Sequence, residues 1–159
     1  LWLFFPFVQC MMYGLPEPGA AAVLHLFAAA VGEELVFRSL VPLYLKENTR
    51  LSYRNRMLIC AGIFALFHLT SLFYAENSGM TIVLVLYAFC AGWGFLSLAE
   101  KQNSIIIGTL LHFLINLTAS ENAQIQKEIP LTVLFSGLFL TFGIIYTIKK
   151  EKQTHETLH

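Results

Sequence analysis

Five long apolar stretches run along the chain at 20–46, 57–73, 80–99, 105–117 and 131–148. A bilayer span takes about 20 residues, and a helix satisfies its own backbone in hydrocarbon. The pattern therefore predicts an all-α, polytopic transmembrane helical bundle of about five spans. The fourth stretch is short, so it should extend at its ends or be shielded by its neighbours. Ahead of the spans, residues 1–13 are apolar but brief and interrupted by Pro6, which predicts the tail of a truncated helix or an interfacial segment. Gly14 to Gly19, with Pro16 and Pro18, predicts a turn. Pro42 should bend the end of the first long helix, because its ring crowds the preceding turn and removes a hydrogen bond. His155 and His159 fall in a polar tail, 149–159, expected to be disordered.

Six polar residues break the apolar pattern from within: Glu33, Glu34 and Arg38, then His68, then His112 and Asn116. A charge in hydrocarbon costs from roughly 3 to above 10 kcal/mol unless it is paired or functional. Six such residues at helical spacings mark a site.

Composition agrees with the membrane reading: 57% of residues are hydrophobic and 13% charged, which separates the chain from soluble domains. Net charge is zero, which gives no pull toward nucleic acid. Every acidic residue is Glu, so chemistry that needs an aspartate pair is excluded. Cys10, Cys60 and Cys90 lie in apolar segments without CxxC spacing and read as small hydrophobic residues. The chain starts at Leu1 inside an apolar run, with no initiator Met and no recognisable signal peptide. It reads as a fragment or trimmed chain, with room for preceding helices. The expected organisation is a single membrane-embedded domain over 1–159, with its motif core at 30–118.

Basic residues orient the bundle. Lys46, Arg50, Arg54 and Arg56 fill the first connection, Lys101 lies in the third, and Lys149, Lys150 and Lys152 follow the last span. All fall on one side of an alternating topology, while the opposite loops, 74–79 and 118–130, carry only Lys127. The positive-inside rule makes the first side cytoplasmic, including loops 46–56 and 99–104 and the C-terminal tail. The expected location is a multi-pass position in a membrane, the plasma membrane if the source is bacterial. Counted from the cytoplasmic ends, Glu33, His68 and His112 lie about eight to twelve residues deep, or roughly 12–18 Å at 1.5 Å per residue. Three helices thus bring their polar groups to one level.

Glu33 and Glu34 point about 100° apart around a helix, and Arg38, four residues after Glu34, is its natural ion-pair partner. Glu33 is then free to meet the histidines and to activate water as a general base. A purely architectural Glu–Arg clamp is the plainer alternative. Phe64 covers the same face as His68, and His112 and Asn116 present an imidazole and an amide in one direction. Two chemistries suit this set. Glu33, His68 and His112 match the ligand count of a catalytic Zn2+ site. Without metal, Glu33 and His68 would activate water while His112 and Asn116 hold the oxyanion. HExxH is absent, Ser136-Gly137 lacks a serine-protease context, and His25 reads as interfacial.

Three motifs carry a resemblance to a known family. Glu33-Glu34-Leu-Val-Phe-Arg38 is similar to EExxxR, Phe64-Ala-Leu-Phe-His68 to FxxxH, and His112-Phe-Leu-Ile-Asn116 to HxxxN. Ala91-Gly92-Trp93-Gly94 and Ser104 fit the same pattern. In this order they resemble the CAAX-processing and bacteriocin-processing (CPBP, abortive-infection) intramembrane proteases, also called type II CAAX endopeptidases. The resemblance implies a peptidase acting near the cytoplasmic membrane face, on a CAAX-type or bacteriocin-like peptide or protein, lipidated or not. It implies Glu33 as base, Glu34 and Arg38 as its support, His68 in water activation or metal binding, and His112 with Asn116 on metal or oxyanion. Membrane lipid is the expected surrounding and nucleic acid is not an expected partner. Two other readings suit the same residues: a catalytically silent immunity or scaffold protein, and a small transporter or proton relay. The latter would be expected to show repeated halves, and no internal repeat is present.

Overall fold

A computed structural model describes residues 4–13, 17–73, 78–121 and 129–156. Among these residues the regular structure is all helical. Helix α1 covers Phe4–Tyr13. Helix α2, Ala20–Leu35, passes through a π-helical turn, Val36–Leu40, into α3, Val41–Asn48. Helix α4, Tyr53–Phe67, tightens into a 3-10 turn, His68–Phe73; α5 is Ser78–Gln102, α6 Ile106–Glu121 and α7 Ile129–Glu156.

Helix α5 is the centre of the bundle and packs mainly on α7 and α4, while α2 packs on α6. Among the described residues, three continuous helices are long and apolar enough to cross a membrane: Ala20–Asn48, Thr81–Gln102 and Thr132–Gln153. The apolar window of the second is 56% buried, against 17% and 22% for the others. The outer helices therefore turn apolar side chains such as Leu24, Leu66 and Ile148 outward. The fourth predicted span is indeed short, with an apolar helix over Ile106–Ala119.

Local chemistry explains the boundaries. Ser52 accepts the Asn55 backbone N–H at 3.3 Å and starts α4. Helix α5 ends where Asn103 takes a left-handed φ of 50°. There the Ser104 N–H reaches the Ala99 carbonyl and the Asn103 N–H reaches the Glu100 carbonyl, the paired bonds of a Schellman ending. Pro42 acts differently from the expected bend at the helix end. It sits in the first turn of α3, and the Val41 N–H reaches back five residues to the Val36 carbonyl. A proline cannot donate to the carbonyl four residues earlier and its ring crowds that group, here Arg38, so the strain is absorbed as a π turn.

At the ends, the short apolar segment is helical and one expectation, for the polar tail, needs revision. Residues 4–13 form a helix through Pro6, and proline is tolerated in a first turn. The tail expected to be disordered is helical through Glu156. Lys, Glu and Gln are good helix formers, and Glu151 is anchored where it accepts the Arg54 backbone N–H at 3.1 Å. His159 and most of the predicted loops 74–79 and 118–130 lie outside the described residues.

A close seam joins α5 to α7. The Trp93 indole N–H donates to the Thr147 hydroxyl at 3.0 Å, buried in the bundle. Gly143 makes room for the indole, since a Cβ there would lie 2.8 Å from Trp93 Cδ1. The layer of Phe95, Leu111, Ile115, Phe135 and Phe139 then closes α5, α6 and α7 around an apolar core.

Candidate active site

The carboxylates come from the last turn of α2, the guanidinium from the π turn that follows, and the imidazole facing them from α6. Glu34 is completely buried and Arg38 is 6% exposed. Arg38 Nε lies 3.4 Å from Glu34 Oε1, the ion pair that the four-residue spacing predicts. His112 meets the same oxygen: its Nδ1 is 2.9 Å from Glu34 Oε1. Its other ring nitrogen, Nε2, is 3.7 Å from Glu33 Oε2. The Glu33 side chain keeps 23% of its surface exposed, so of the two carboxylates it is the accessible one.

This arrangement differs from the expected division of labour. Glu33 does approach a histidine, but Glu34 holds that histidine more closely while also pairing with Arg38. The adjacent carboxylates straddle one imidazole. An ionised carboxylate accepts only, so the bond to Glu34 puts a proton on His112 Nδ1 and leaves Nε2 to face Glu33. Several polar atoms here have no hydrogen-bond partner among the described residues: Glu33 Oε2, Glu34 Oε2 and the three guanidinium nitrogens of Arg38. Buried polar atoms of this kind call for water or a ligand.

Phe64 organises the apolar wall. Its ring lies 3.9 Å below the Arg38 guanidinium carbon, a cation–π contact. It also packs edgewise on His68 at 4.6 Å between centroids, on His112 at 6.3 Å and on Phe37 at 5.1 Å. Phe95 closes the other side of His112 at 5.9 Å. Gly92 admits the Phe64 ring, because a Cβ there would sit 3.0 Å from its Cδ1.

His68 stands where α4 tightens into the 3-10 turn. Its Nδ1 is 2.9 Å from the Phe64 carbonyl. A carbonyl only accepts, so Nδ1 carries the proton and Nε2 offers a lone pair. Glu33, His112 and Arg38 are the charged groups within electrostatic reach of it. Asn116 lies one turn beyond His112, half-buried, outside the contacts that join His112 to the glutamates. His25 is exposed on α2, two turns before Glu33.

One residue escaped the sequence reading. A Cβ on Gly108 would lie 3.1 Å from Glu34 Oε2, so the bare backbone of α6 is what admits the carboxylate. A glycine one turn before His112 was its only trace in the sequence.

Glu33, His68 and His112 were the ligands expected if the reaction uses Zn2+. Among the described residues, no three His, Cys, Asp or Glu side chains are grouped to hold a metal ion. His112 has its Nδ1 on Glu34 and His68 has its Nδ1 on the Phe64 carbonyl, which leaves Nε2 of each ring free.

An all-helical integral membrane protein with a buried Glu–Glu–Arg–His cluster is thus defined by its fold and its polar centre. A family model described as type II CAAX prenyl endopeptidase Rce1-like matches residues 16–118. The chain belongs to that family, a protease family, and is in general kind a CAAX-type intramembrane endopeptidase. Neither a curated protein nor a solved structure matches it.

Proposed function

We propose that Glu33 is the general base of a peptide-bond hydrolysis carried out at the Glu33–His112–Glu34 cluster. The observation that carries this reading is the placement of His112, held by buried Glu34 at 2.9 Å and turned toward accessible Glu33 at 3.7 Å. An imidazole oriented by a buried carboxylate, beside a second carboxylate open to substrate, is the arrangement proton transfer needs.

Glu33 takes a proton from water as its oxygen attacks the scissile carbonyl carbon. His68 Nε2 accepts a hydrogen bond from the same water. The carbonyl pair moves onto oxygen, and the Nε2–H of His112 as imidazolium, with the Asn116 amide, donates to that oxyanion. Collapse re-forms the carbonyl, breaks the C–N bond and returns the Glu33 proton to the leaving amine. Arg38 acts at one remove by neutralising Glu34. This course uses side chains alone; among the described residues no group of three potential metal ligands is present.

The substrate in this reading is a peptide or protein, lipidated or not, cut close to the cytoplasmic face. Support for that sidedness comes from the basic ends meeting in space. The Arg54 backbone lies against Glu151, and Lys101 Nζ is 5.9 Å from the Phe142 ring of α7. The domain reading is one membrane-embedded peptidase unit around the motif core.

The test is cleavage of a CAAX-type peptide by Glu33→Gln protein in lipid. Cleavage should vanish while insertion and thermal unfolding stay as in the parent chain. Undiminished turnover would overturn the assignment.

A further inference from the structure

The outer face of α7 and the end of α5 build a second polar feature, away from the carboxylate cluster. A cleft of about 230 Å³ is lined by Lys101 from α5 and by Phe142, Ile145, Tyr146, Lys149 and Lys150 from α7. The α7 residues recur at helical spacing and so form one face. Phe142 and Tyr146 stack at 6.4 Å with 15° between their planes and make an aromatic base. Lys101 Nζ stands 5.9 Å over the Phe142 ring. Three ammonium groups thus border one recess at the point where an apolar helix becomes polar.

Beside the recess, around the same turns of α7, the surface is apolar, with Ile144, Ile145 and Ile148 exposed by 38%, 49% and 60%. Acidic groups are nearby. Glu100 adjoins Lys101 in sequence, and Glu151 follows Lys150 but accepts the Arg54 N–H at the start of α4. The cationic rim and the apolar flank together match a molecule that is anionic at one end and aliphatic along its length. Basic recesses beside spans recognise phosphate headgroups in this way.

We propose that this cleft binds the phosphate of an anionic phospholipid, with its acyl chains lying along the isoleucine face of α7. The assignment is independent of the peptidase reading, because none of these residues belongs to the cluster around His112.

Native mass spectrometry of the delipidated protein, supplied with phosphatidylglycerol or phosphatidylcholine, tests it. The anionic lipid should be retained in preference to the zwitterionic one. A lysine near a membrane surface adds about 1 kcal/mol of attraction, so Lys101→Gln and Lys149→Gln should each weaken association about fivefold. Lys101→Arg should keep it, and Lys152→Gln removes the same charge outside the cleft and should change it by less than about twofold. The lysines tested are exposed, and unchanged thermal unfolding would show that folding survives. Equal retention of both lipids would overturn the proposal. So would an equal loss in Lys152→Gln, which would indicate diffuse attraction. Complete displacement by inorganic phosphate would also overturn it, by making the recess a site for soluble phosphate.

Discussion

His112 Nδ1 lies 2.9 Å from Glu34 Oε1, on the same oxygen that Arg38 Nε approaches at 3.4 Å. One fully buried carboxylate therefore joins α2 to the π turn and to α6, and it fixes which imidazole nitrogen faces Glu33. Removing that carboxylate should do more harm to the fold than removing its neighbour.

Glu34→Gln leaves Arg38 buried without its counter-charge. Breaking a buried pair from one side costs about 3–5 kcal/mol. The variant should unfold at clearly lower temperature and lose cleavage, whereas Glu33→Gln should lose cleavage alone. Thermal unfolding of both variants in the same lipid decides between them. Equal stability of the pair would contradict the bridging role of Glu34.

Gly108→Ala places a methyl carbon 3.1 Å from Glu34 Oε2. The carboxylate must give by a few tenths of an ångström, which disturbs the contact that orients His112. Gly62→Ala serves as the control, since nothing lies within 4 Å of its Cβ and alanine favours a helix by about 0.5–1 kcal/mol. Turnover should fall in the first variant and persist in the second.

At the α5–α7 seam, Gly143→Ala would force a Cβ to within 2.8 Å of the Trp93 ring. Overpacking of this kind costs about 1–3 kcal/mol. Thr147→Val leaves the buried indole N–H without its acceptor, at about 1–3 kcal/mol. Both should lower the unfolding temperature, and the shift in tryptophan fluorescence should report the second directly.

Chelation addresses the chemistry. Protein dialysed against a strong chelator should retain its peptide cleavage, as expected of a reaction run by Glu33 and His112. Activity lost on chelation and restored by Zn2+ would replace this mechanism with a metal-assisted one.

Local pattern made much of the molecule legible. Apolar runs mark helices because hydrocarbon demands internally bonded backbone, and the Glu34–Arg38 pair follows from a separation of four residues. The three motifs in order pointed to the protease family that the family match then showed. Other features depend on partners distant in sequence. Helical spacing left Glu33 to meet the histidines; the approach of α6, made possible by bare Gly108, gave Glu34 the closer contact. Lys149 to Glu156 read as a loose polar tail until Glu151 met the backbone of Arg54, about a hundred residues away. Pro42 signalled strain in its own helix, yet that strain appears as a π turn around Arg38. Spacing along a chain constrains groups within one helix, because the backbone fixes their relative angles. Which face of one helix meets which face of another is set by packing volume and buried charge, and these exist only once the bundle has closed.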